Sequence, residues 1–306
     1  GSKVHTYVDP EGVGPDVDFH HMGHQNMLVV IEELDRMFAD IPKMMVGGCS
    51  AGGVGSLNNY PFIRDGIEGV GRGYLLADSG PIVPGTLPNG MPSNQGGLFS
   101  LVVPIWGADT MLESLPMGAD RVSEDFGEVN AIVSELFPED RLSISIFERD
   151  FNFPVNTYES AFPIFSDPET SVNTGAGRTE IYRLTSEDLE ALREQLDGLD
   201  NLAYYIPYYR NTNTSHCLTV TGLEDIGSSE LDFLNAFTDD PSTATWTGTE
   251  IETDDGTVTY KDFIETLLDD SAPLESYYEG TCEGKFQVCA LDCEAYDVAM
   301  CEAAVQ

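Results

Sequence analysis

Apolar residues recur at helical spacing from Met27 through Val30, Ile31, Leu34 and Phe38, and the spacing predicts an amphipathic helix that Pro42 closes. The short apolar run Met44-Met45-Val46 then predicts a buried strand that runs straight into glycines. Three more runs read as strands: Gly73-Tyr74-Leu75-Leu76-Ala77 ending at Asp78, Leu142-Ser143-Ile144-Ser145-Ile146-Phe147 ending near Asp150, and Leu202-Ala203-Tyr204-Tyr205-Ile206 leading through a polar loop to His216. Between the last two, Leu189, Leu192 and Leu196 share one helical face, Thr185 and Asp188 match a capping box, and Gly198 lies past the end. Strands separated by helices imply an α/β chain with a mostly parallel sheet flanked by helices. Ligand-binding residues in such sheets sit beyond the carboxyl ends of the strands, where Ser50, Asp78, Asp150 and His216 all fall.

The first strand meets Gly48-Cys49-Ser50-Ala51-Gly52, which fits G-x-S-x-G. In a nucleophile elbow the serine occupies a strained turn between strand and helix, and flanking glycines avoid collisions with nearby backbone. A serine hydroxyl becomes nucleophilic when a histidine takes its proton, and the histidine needs a carboxylate to fix its tautomer. His216 is the candidate base, because His5, His20, His21 and His24 all precede the serine. Asp78, Glu148 and Asp150 are candidates for the acid. The order serine, acid, histidine is that of the α/β-hydrolases. In that plan the acid usually comes one strand later than the strand directly after the nucleophile, which favours Asp150. The backbone N–H of Ala51 is expected to supply one oxyanion donor.

Charge and cysteines narrow the setting. The chain of 306 residues carries 53 acidic against 14 basic residues, a formal charge of -39, which repels nucleic acid and anionic membranes as partners. No apolar run is long enough for a membrane helix. The chain opens on Gly1-Ser2-Lys3, so any export signal is expected to have been removed or never present. Six cysteines in an acidic chain rich in Asn, Thr and Gly favour disulfides in an oxidising compartment, and secreted or periplasmic localisation is expected. If Ser50 and His216 lie within hydrogen-bond reach, Cys49 and Cys217 come close enough to bond. The alternative is that Cys49 is a small buried residue and Cys217 pairs with the tail, where Cys282, Cys289, Cys293 and Cys301 fit no common zinc pattern.

"GCSAGG", then "LADSG", then an acid after a strand and finally "HC" resemble the pectin acetylesterase and Notum family of carboxylic ester hydrolases, over about residues 4 to 220. The resemblance implies Ser50, Asp150 and His216 as the triad, with Asp78 shaping the substrate site, acetyl esters of polysaccharide as substrates, and no cofactor. The "CS", "D" and "HC" arrangement is also similar to tannase-like feruloyl esterases, in which a disulfide joins the cysteines beside serine and histidine. That analogy implies a Cys49 to Cys217 bond and brings aromatic or polymeric esters in as second substrates. A polyanionic pectin would be repelled by this surface unless cations screen it. A catalytically silent binding protein on the same fold is the expectation from another class.

The chain departs from these families in one respect: they carry several more strands before the nucleophile, one of which ends in glycines that complete the oxyanion hole. Three expectations follow, namely a truncated N-terminal part, a separate complementing segment, or replacement by the region after His216. That region, residues 221 to 306, reads as an extension to a core of residues 1 to 220, with a helix around Leu231 to Phe237, a hairpin about Asp254-Asp255-Gly256 and a cysteine-rich tail. Residues 85 to 126 read as a mobile lid rich in glycine and proline. Trp106 in it either stacks against a sugar or aromatic ring or fills the core. In "HHMGHQN", His20 and His24 would share a helical face, and this helix start is expected to border the mouth of the site, its polar residues touching substrate or capping the helix. Nothing nearby completes a metal site, so no metal is expected.

Overall fold

The apolar runs form strands, and alternation along each strand decides which layer its residues join. The computed structural model describes residues 3–7, 16–116, 119–150, 152–158, 175–208, 216–221, 250–254 and 256–280. In chain order these comprise β1 (Lys3–Tyr7), β2 (Val17–His21), α1 (Gly23–Met37), β3 (Ile41–Cys49), α2 (Ala51–Gly66), β4 (Val70–Asp78), α3 (Asn94–Trp106), α4 (Ala108–Leu112) and α5 (Ala119–Glu124). They continue with α6 (Val129–Leu136), β5 (Arg141–Ser145), α7 (Asn152–Tyr158), α8 (Gly175–Leu196), β6 (Leu202–Ile206), α9 (Leu218–Thr221), β7 (Ile251–Thr253), β8 (Gly256–Val258), α10 (Tyr260–Leu268) and β9 (Tyr277–Tyr278).

One sheet runs in the order β3-β4-β5-β6-β9, and every neighbouring pair is parallel. β1 with β2 and β7 with β8 make two separate antiparallel pairs. Leu75, Ala77, Leu142, Ile144, Leu202 and Tyr204 bury into one layer with α2, α3, α6 and α8. The intervening Leu76, Ala203 and Tyr205 bury into the other, against Ile251, Tyr260 and Phe263. The chain is thus an α/β protein with a parallel sheet covered on both faces, and the hairpin lies where Asp254 and Gly256 predict it.

Several expectations change. The α1 stripe that packs on Ile63 of α2 and on Ile67 just past its end is Met27, Ile31 and Leu34, while Val30 and Phe38 are exposed. Thr185 and Asp188 do not cap a helix start, because α8 begins at Gly175. The Thr185 hydroxyl donates to the carbonyl of Ile181 within the helix, and Asp188 accepts the N–H groups of Asn94 and Gln95, capping α3 instead. Of the described residues between 85 and 126, 94–106, 108–112 and 119–124 are helical, and Phe99, Val103, Met111, Leu112 and Phe126 sit in the main core.

Residues 250–280 pack onto the central sheet, which β9 joins, and share the core layer of Leu76, Ala203 and Tyr205. β9 extends the sheet beside β6, and the Arg141 guanidinium donates to the carbonyls of Thr266, Leu267 and Ala272 at the end of α10. Because β9 joins the edge opposite β3, residues 250–280 do not replace strands beside β3 and Ser50. The helix expected around Leu231 to Phe237 and the four tail cysteines lie outside the described residues. No helix among the described residues is long and apolar enough to cross a membrane.

Candidate active site

Ser50 joins the carboxyl end of β3 to the first turn of α2 with φ 60° and ψ -124°. A Cβ on Gly48 would stand 2.3 Å from the carbonyl oxygen of Gly52, and one on Gly53 would stand 2.5 Å from that of Asp78, so both must be glycine for the turn to close. Gly52, the second glycine of the motif, has open space around it, so the crowding falls one residue later than the motif suggests. Ser50 donates its N–H to the carbonyl of Asp78 at 2.8 Å, which fastens the turn to β4. Ala51 is the first residue of α2, where backbone N–H groups have no partner within the helix.

Asp150 ends the turn after β5. Its Oδ2 accepts from Nδ1 of His216 at 2.7 Å, and its Oδ1 accepts the N–H of Phe153 at 3.1 Å at the start of α7. Asp150 is 0% exposed. Burial pushes its carboxyl up to about 6, against the opposing pull of the His216 hydrogen bond and of the N–H groups of Phe153 and Asn152. A histidine anchored through Nδ1 in this way is left with Nε2 as the nitrogen that exchanges protons with a substrate or nucleophile.

The other candidate acids are engaged elsewhere. Glu148 is buried, with its carboxyl raised chiefly by that burial and Ser186 as its hydrogen-bond partner. Asp78 is 0% exposed. Its Oδ1 accepts from Ser79 Oγ, Ser145 Oγ and the N–H of Leu218, and its Oδ2 accepts from the N–H and hydroxyl of Thr219. Its carboxylate is therefore committed to the protein interior rather than to a substrate.

Cys49 and Cys217 form a disulfide with a Cα–Cα distance of 5.6 Å, which brings the residue before Ser50 against the residue after His216. A ring nitrogen of His216 and both sulfurs lie within 4.8 Å of one another. Sulfurs bonded to each other are not thiolate ligands, so this cluster does not make a metal site. The non-glycine residues with positive φ among the described residues are Ser50, Ser79 and Cys217, and all belong to this one region.

One expected substrate contact, His20, is placed differently. His20 is exposed on β2, opposite Val4, and not on a helix with His24, which packs edge-on to Phe62 with ring centroids 4.6 Å apart. The break at Met22-Gly23 separates the two histidines into strand and helix. Trp106 ends α3 at 47% exposure, so it is not a core residue. Ser79, Ser145 and Thr219 were not foreseen. Their traces are a serine directly after the strand-ending Asp78 and polar residues alternating inside the otherwise apolar β5, where Ser143 and Ser145 are both buried. No family model, curated protein or solved structure matches the chain.

Proposed function

We propose that the protein is a serine carboxylic ester hydrolase of the α/β-hydrolase type. Ser50 attacks the ester carbonyl, His216 takes its proton and returns it to the leaving alcohol, and Asp150 orients His216 and stabilises its cation. Water, activated by His216, then hydrolyses the acyl-enzyme. The N–H of Ala51 serves the oxyanion. What supports this reading above all is the Asp150–His216 hydrogen bond, held beside the strained Ser50 turn by the Cys49–Cys217 disulfide.

The motif resemblance points to acetyl esters on polysaccharide as substrates, with aromatic or polymeric esters second, and the exposed Trp106 offers a stacking surface to either. The same disulfide favours an oxidising setting outside the cell or in a periplasm.

One observation favours a catalytically silent binding protein instead. β3 has a strand neighbour on one side only among the described residues, so none of the described strands ends on its other side to supply a second oxyanion donor. Loss of one such donor costs about a hundred- to a thousandfold in turnover.

Hydrolysis of nitrophenyl acetate and butyrate by the protein and by Ser50→Ala decides between the two. The esterase reading expects turnover that falls by about four to six orders of magnitude in the variant. Equal rates in the two proteins, or none in either while both are folded, would overturn it.

A further inference from the structure

We infer that Asp78 and Ser79 are a positioning pair that holds the His216 loop against the nucleophile turn, sharing this task with the Cys49–Cys217 disulfide. The backbone carbonyl of Asp78 receives the N–H of Ser50 at 2.8 Å. Its side chain receives the N–H of Leu218 at 3.1 Å and the N–H and hydroxyl of Thr219 at 2.8 and 2.6 Å. Ser79 Oγ donates to Asp78 Oδ1 at 3.0 Å while it accepts the N–H of Cys217 at 2.9 Å. Residues 217, 218 and 219 therefore hang from two consecutive residues, one of which also fixes Ser50.

The cost of the arrangement argues for its purpose. A carboxylate with no exposure and no cationic partner among the described residues is expensive to bury, and here hydrogen bonds alone offset that cost. Ser79 has φ 49°, a conformation worth about 1–3 kcal/mol of strain for a non-glycine residue. It is held there by its N–H to the carbonyl of Ser145 at 2.6 Å, and Ser145 Oγ lies 2.9 Å from the hydroxyl of Tyr260. A disulfide fixes one point of the histidine loop but leaves rotation about that point. An imidazole that must serve both Asp150 and Ser50 needs its orientation set to within about 10–20°, and the Asp78 and Ser79 bonds supply the second point. An asparagine at 78 would turn an amide donor toward a backbone N–H, so charge and shape are both required.

The kinetic part of the test rests on the esterase reading and the spectroscopic part does not. With histidine labelled by nitrogen-15, the ring signals of His216, identified by their loss in His216→Gln, report the Nδ1–H bond to Asp150. Asp78→Asn and, more mildly, Thr219→Val are expected to broaden or abolish that hydrogen-bonded signal, and Thr219→Ser to restore it. In the same variants kcat is expected to fall by about ten- to a hundredfold for Asp78→Asn, with KM within twofold. The acid limb of the kcat profile should also move to higher pH, because Asp150 loses the bond that holds its carboxyl down. Folded variants that keep the His216 signal, with kcat within twofold of the unsubstituted protein, would overturn the inference. If Asp78→Asn does not fold, Thr219→Val decides. If the unsubstituted protein hydrolyses no ester, the esterase reading falls and the ring signals alone judge the positioning role.

Discussion

Asp150 carries opposed demands that a titration separates. Its carboxyl, ordinarily near 3.8, is pushed up to about 6 in the folded chain because burial outweighs the His216 hydrogen bond. A folded value above the unfolded one means that this group favours folding fully below about 3.8 and that the contribution is lost as pH rises through about 6. The proposed catalysis needs the reverse, since only the ionised carboxylate stabilises an imidazolium. Between these values, stability and activity are expected to move in opposite directions. Turnover should fall as pH drops below about 6. Asp150→Asn should lower kcat by roughly three to four orders of magnitude and flatten the pH dependence of Tm between pH 4 and 7. Melting curves with unchanged pH dependence in the variant would show that Asp150 is not the group being titrated.

Elements were legible where their signal is local. β3, β4, β5 and β6 each follow an apolar run, and the turn at Ser50 carries its own motif, so the sheet and the order of Ser50, Asp150 and His216 could be read directly. α8 was misread because a threonine's back-bond to Ile181 lets Thr185 sit inside a helix, while Asp188 serves a different helix, and the capping-box pattern alone does not distinguish these uses. The role of Asp78 was hidden for a related reason: its partners Leu218 and Thr219 lie far along the chain, and only folding brings them together. The same holds for α10, whose last carbonyls are capped by Arg141, a buried residue at the amino end of β5. Arg141→Ala removes charged donors to the carbonyls of Thr266, Leu267 and Ala272 and opens space in the layer they share. The expected cost is about 2–4 kcal/mol in urea unfolding. Ester turnover by the folded fraction should be unchanged, since Arg141 lies at the end of β5 away from Asp150. A loss of stability below about 0.5 kcal/mol would mean that residues 250–280 are not anchored through this contact.

Charge acts on the molecule as a whole. With 53 acidic and 14 basic residues, self-repulsion favours any state in which the charges are farther apart, including the unfolded one. Salt also weakens attractions, but pairs such as Arg36 with Glu33 and Arg183 with Glu180 lie on exposed side chains, where water already screens them. The pair of Arg64 with Asp140 at 2.8 Å is mostly buried and so screened far less. Repulsion over the full surface outweighs these few contacts, so added salt should stabilise the fold. The Debye length falls from about 30 Å at 0.01 M to about 8 Å at 0.15 M, so most of the gain should come below about 0.2 M sodium chloride. A gain of about 2 kcal/mol corresponds to a rise in Tm of roughly 3 °C for a chain of 306 residues, at about 2.1 cal/mol/K of unfolding entropy per residue. Scanning calorimetry from 0.01 to 0.5 M sodium chloride at pH 7 checks this. A Tm that stays flat or falls with salt would show that the acidic side chains are already compensated locally, and that net charge is not what limits this fold.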